Sequence, residues 1–213
     1  MGGIEQPIYY FEEAGYGNTS DVVEIAYKRL QEGDIESVVV ASSSGETGLK
    51  FAKKMAHDIN LVVVSSHPGF SAPGVWNFNL GILKELEAMG CKVVKQSHIL
   101  SGLERSISNK FSGASHTEVL AEAIRSLLGV GMKVAIECTI MAADCGAIPI
   151  QKTIAVEEPI QEKEAERIVP LWFGPPTLTI SSTFGFSRFW QNLTGEILPN
   201  SVSAPPSEWT GTG

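Results

Sequence analysis

The chain has 213 residues, 43% hydrophobic and 19% charged, with a formal net charge of -8 and a pI near 5.0. Such a length carries one well-buried core rather than two. No apolar run approaches the roughly 20 residues that a bilayer crossing needs, and the acidic balance offers no basic stripe for a nucleic-acid backbone.

From Pro7 to Val156 the pattern alternates between apolar β-branched runs and helical stretches, which predicts an α/β fold with a largely parallel sheet in three α/β/α layers. Ile8 to Phe11 reads as a first strand. Thr19 or Ser20 then caps a helix running to Gln31, with Val22, Val23, Ala26 and Leu30 at helical spacing. A buried strand from Val38 to Ala41 follows, then a helix from Thr47 to His57 and a strand from Leu61 to Val64. A Gly- and Pro-rich loop, 66–74, leads into a helix from Leu80 to Met89 and a strand from Lys92 to Val94. Ser115 caps a helix from Thr117 to Leu128, which is expected to feed a strand from Lys133 to Glu137. Thr153 to Val156 opens another strand.

The N-terminus, Met1 to Tyr10, has no basic stretch leading into an apolar core, so no export signal is read there. The three cysteines, Cys91, Cys138 and Cys145, contain no CxxC pair and fit plain thiols in a reducing compartment. A soluble cytoplasmic protein is expected. No coiled-coil heptad or repeat settles assembly, and association with identical copies stays open.

The clearest chemical signal is the junction Ser42-Ser43-Ser44-Gly45-Glu46-Thr47-Gly48, between a buried strand and an amphipathic helix. A strand, a small polar loop and a helix start aim free N–H groups and the positive end of the helix dipole at one point. Ser42, Ser43, Ser44 and Thr47 add hydroxyls, while Gly45 and Gly48 let backbone approach an anion. An ordinary serine-rich turn with an N-cap accounts for the same residues. The loop is neither a GxxxxGK[ST] nor a GxGxxG motif, so nucleotide hydrolysis and nicotinamide binding are not indicated.

Ligands of parallel α/β sheets bind beyond the carboxyl ends of the strands. The loops expected there hold His67, then Ser97, His98, Ser101, Gly102 and Arg105, then Met141 and Asp144. His67 and His98 suit acid/base or contact roles, although a histidine at a strand end also serves structurally. Arg105 suits a phosphate fork, against the alternative of a solvated helix charge. Glu137 and Asp144 share no metal-ligand spacing with these histidines, and no metal site is expected. Met55, Met89 and Met141 read as core filler by type.

The run Ser42 to Thr47 after Val38-Val39-Val40-Ala41 resembles the effector-phosphate loop of the pyruvate kinase C-terminal domain. Nothing resembles the catalytic barrel of that enzyme, so kinase activity is not implied. A closer resemblance, over almost all of residues 5–156, is to a stand-alone, mainly archaeal family with that domain. It is carried by Val40-Ala41-Ser42-Ser43, by Gln96-Ser97-His98-Ile99-Leu100-Ser101-Gly102-Leu103-Glu104-Arg105-Ser106, and by Ile140-Met141-Ala142-Ala143-Asp144 through Gly146-Ala147-Ile148-Pro149. The resemblance implies a flavin mononucleotide (FMN) binder without an established reaction. The serine loop would hold the phosphate, and the loops around His67, Ser97 to Arg105 and Met141 to Asp144 would surround ribityl and ring. A sugar-phosphate-sensing module and a flavin-dependent redox enzyme are the alternatives.

Residues 157–213 break the pattern: they hold seven of the eleven prolines and three of the four tryptophans, with no clean periodicity. A Pro-rich, poorly ordered tail is the composition-based expectation. Yet allowed codons for Glu157 to Leu193, read one base earlier, give Gly-Gly-Thr-Asp-Thr-Gly-Lys-Gly and then Val-Val-Arg-Pro-Ala-His-Ser-His-Asn-Phe-Phe-Asp-Phe. That pattern resembles the continuation of the same family. A single-base insertion or deletion near codon 156 is therefore expected to have replaced the native C-terminus, leaving 1–156 as the domain proper.

Overall fold

The structure is a computed structural model, and it describes residues 9–12 and 15–158. Four parallel strands lie in the order β3-β2-β1-β4: β1 (Ser37–Ala41), β2 (Asn60–Val64), β3 (Lys92–Val94) and β4 (Thr153–Val156). β1 is buried at every position, which explains its unbroken Val-Val-Val-Ala run: a central parallel strand is covered on both faces and shows no polar alternation.

On one face, α1 (Thr19–Leu30), α2 (Glu46–Met55) and α3 (Leu80–Ala88) pack against the sheet. Val22 and Ala26 of α1, with Phe51 and Met55 of α2, meet Val38, Val40, Leu61, Val63 and Ile154 there. On the other face Val39, Ala41, Val62 and Val64 meet Cys138, Met141 and Ala142. Two cores separated by one sheet make the three-layer α/β/α arrangement. The connection from β3 to β4 carries α4 (Leu103–Phe111), α5 (His116–Leu128) and α6 (Val130–Asp144). Ser115 caps α5 in a full capping box with Glu118.

Two expected strands are corrected. Lys133 to Glu137 lies inside the helix α6, where Lys133, Glu137, Cys138, Met141 and Ala142 form one buried helical face. Its apolar residues surround the axis, so no polar stripe reveals the helical period, and the short β-branched run imitates a strand. Residues 9–11 belong to no strand, while Ile8 lies outside the described residues; Phe11 packs against the core instead. Asn18, rather than Thr19 or Ser20, is the N-cap of α1. Residues 103–106, read as the last part of the strand-end loop, belong to the helix α4.

No helix among the described residues is long and apolar enough to cross a membrane. The altered-tail expectation falls on residues 159–213, outside the described residues, except for Glu157 and Glu158.

Candidate functional site

The chain steps from β1 to β2 to β3 in one direction and then returns to lay β4 on the opposite side of β1. The carboxyl ends of β1 and β4 are thus a topological switch point, where the connections from adjacent strands diverge. The serine loop leaves β1 at that point.

Ser42 and Thr47 are buried, Ser43 is exposed, and Ser44 is half-buried. Three donors of the loop converge on one carboxylate, that of Glu158, two residues beyond β4. The Ser43 N–H donates to Oε2 at 2.5 Å, the Thr47 hydroxyl to Oε1 at 3.2 Å, and the Ser42 hydroxyl to Oε1 at 3.5 Å. Ser44 Oγ accepts from the Glu46 N–H at 3.3 Å, turning the chain into α2. Among the described residues, no lysine or arginine bonds to this loop. What the loop could offer an anion is N–H groups, hydroxyls and the start of α2.

The two glycines have a packing reason. Gly45, the N-cap of α2, has φ +95°, and a Cβ there would lie 2.7 Å from Phe78 Cζ. At Gly48 a Cβ would come within 2.8 Å of the Val63 methyls, so α2 sits on β2 at a distance only glycine permits.

Along the same edge, past the ends of β2 and β3, three rings cluster. His67 and His98 lie 5.2 Å apart edge to face, with Phe70 at 5.8 Å from each. Burial is the largest influence on His98 and holds its imidazole below the ordinary 6.5; the positive charges of His67 and Lys133 add to this, and Glu137 opposes them. His98 is therefore neutral at pH 7. His67 Nδ1 lies 2.9 Å from the Pro68 carbonyl. The end of β1 is two strand spacings, about 10 Å, from the end of β3, so the serine loop and the rings occupy one edge.

Beneath the rings lies a buried ion pair within α6, Lys133 to Glu137, with side chains 4% and 3% exposed. Glu137 also accepts from the Leu100 N–H at 2.8 Å, which ties the loop after β3 to α6. Burial pushes the Lys133 ammonium below its ordinary range, against the pull of Glu137. Glu157, 8% exposed, turns to the α6 side, where its carboxylate faces Gly131. Burial, with the adjacent Glu158 charge, pushes its carboxyl up to about 7.

Not every expected site residue reaches this edge. α6 starts beside Glu157 at the carboxyl edge, and the chain just past its end meets the beginnings of β2 and β3: the Ala147 carbonyl accepts from Asn60 Nδ2 and Lys92 Nζ. Because a helix replaces the expected strand, Asp144 is exposed at the opposite edge, and Met141 is fully buried under the sheet. Neither can touch a ligand on the serine loop. Arg105 is exposed on α4, where its charge helps hold Glu118 below the ordinary carboxylate range, after the larger effects of the Ser108 and Ser115 hydrogen bonds. Ser97 is exposed, Ser101 is half-buried, and Gly102 is the N-cap of α4.

Cys138 is buried, its thiol pushed up to about 12 chiefly by burial, which removes it as a nucleophile. No group of three His, Cys, Asp or Glu able to hold a metal is present among the described residues. A hollow of about 360 Å³ lies at the amino edge, lined by Tyr27, Leu30, Gln31, Gly33, Ile35, Asp58 and Ile59. It presents no cation and an aspartate, which suits an anionic ligand poorly.

Sequence reasoning passed over Glu158, Phe70 and Phe78. The pair Phe78-Asn79 carried a usable signal, an aromatic beside the N-cap of α3. No protein-family model matches the chain.

Proposed function

We propose that this protein binds a phosphorylated small molecule of the FMN class at the carboxyl edge of its sheet, with the phosphate on Ser42 to Gly48. The observation that carries the reading is the three-donor grip of Ser42, Ser43 and Thr47 on a carboxylate at the switch point. A loop whose donors hold the two oxygens of a carboxylate offers the same donors to the oxygens of a phosphate. The rings of His67, Phe70 and His98 lie along the same edge, within reach of a ribityl chain from the loop, and offer faces and edges to a flavin. The resemblance to stand-alone pyruvate kinase C-terminal-like proteins points the same way.

A fluorescence titration of FMN with the whole chain tests this. Saturable binding is expected, weakened by excess inorganic phosphate and not reproduced by riboflavin. Equal binding of riboflavin would remove the phosphate from the loop, and a preference for sugar phosphates over FMN would replace the flavin reading with an effector-sensing one.

A further inference from the structure

We propose that Glu158 is an internal plug: its carboxylate occupies the position a ligand phosphate would take and must withdraw before the ligand binds. This rests on the serine loop being the phosphate site. The three bonds join residues 111 to 116 positions apart, so the contact is a tertiary closure rather than part of a local turn. Strand alternation sets the side chain's direction. Ile154 and Val156 face the core under α1 and α2, and Glu158 continues that face toward the loop, while Glu157 turns to α6. The last ladder pair, Val40 with Val156, leaves a tether of two residues, which keeps the carboxylate at a high effective concentration over the loop.

The loop has no bonded cation among the described residues to hold two anions side by side, so ligand and Glu158 exclude each other. Affinity for a phosphate is consequently lowered by the factor by which the plugged form outnumbers the open one.

Glu158→Gln keeps the shape and removes the charge, and Glu158→Asp keeps the charge on a shorter arm. Glu87→Gln, on an exposed residue toward the far end of α3, removes the same charge elsewhere. The folded full-length variants are titrated with inorganic phosphate by phosphorus NMR and with FMN by fluorescence. Glu158→Gln is expected to bind both about tenfold more tightly than the parent, Glu158→Asp to fall between, and Glu87→Gln to match the parent. Parent-like affinity in Glu158→Gln, with binding still weakened by Thr47→Val, overturns the plug and leaves the phosphate site standing. Absence of binding in every variant, Glu158→Gln included, overturns the site and the plug together.

Discussion

Glu157 ends the fourth strand's path with a carboxyl group buried against Gly131 of α6, and replacing it by glutamine isolates the effect of that burial. Burial, with the adjacent Glu158 charge, pushes its carboxyl up to about 7 from an ordinary 4.5. The native state therefore holds a proton that the unfolded chain releases between those two values, and stability must fall as pH rises through that window. About 2.5 pH decades at about 1.4 kcal/mol each give at most roughly 3.5 kcal/mol lost between pH 4.5 and pH 8 from this group. Glu157→Gln cannot ionise, so it should stabilise the fold by about 2–3 kcal/mol at pH 8 and by little at pH 4.5. Urea unfolding of parent and variant at pH 4.5, 6 and 8 measures this directly. Taking the difference between the two proteins cancels the groups that do not interact with Glu157, and the adjacent Glu158 charge, which acts on the same carboxyl, enters the difference with it. A difference that stays flat with pH would refute the buried-carboxyl account.

Other consequences follow from the same geometry. Glu137→Ala leaves the Lys133 ammonium buried without its partner and the Leu100 N–H without an acceptor, for a loss of about 3–5 kcal/mol in denaturant melts. Gly45→Ala combines a positive φ with a Cβ 2.7 Å from Phe78, so a loss of about 2–4 kcal/mol is expected by thermal unfolding. His98 is held neutral by burial, so its contribution to stability is lost as pH falls below 6.5; His98→Phe should flatten the acid limb of the stability profile. Sequencing the DNA around codon 156 should find the codons whose shifted frame spells Gly-Gly-Thr-Asp, and their absence would dismiss the frameshift.

Most of the fold was legible because its strands are short, continuous and β-branched between recognisable helix starts. Lys92–Val94 and Thr153–Val156 carry the bounds read from sequence, and β1 and β2 differ by one residue at their starts. The serine loop was legible as a strand-to-helix junction for the same reason. α6 was not, because a helix with apolar residues on nearly every side has no polar stripe, and a stretch such as Lys-Val-Ala-Ile-Glu satisfies both periods. That single misreading put Met141, which is buried beneath the sheet, and Asp144, which is exposed at the opposite edge, on the ligand edge. The convergence of Glu158 on Ser42, Ser43 and Thr47 was invisible for a different reason: sequence spacing carries no information about a contact made across more than a hundred residues.

The strand order also governs how the molecule assembles in time. β1, β2 and β3 are successive neighbours, each joined to the next by one helix, with partners as close in sequence as Ser37 and Asn60, 23 residues apart. β4 must instead return across α4, α5 and α6 to pair with β1. Closing the short loops costs less entropy than closing the long one. The three-strand half is thus the natural nucleus, and the fourth strand is the late arrival and the first to leave. Amide exchange should therefore be faster in Thr153–Val156 than in Asn60–Val64. Whatever binds where β1 and β4 part would fasten the seam that opens first.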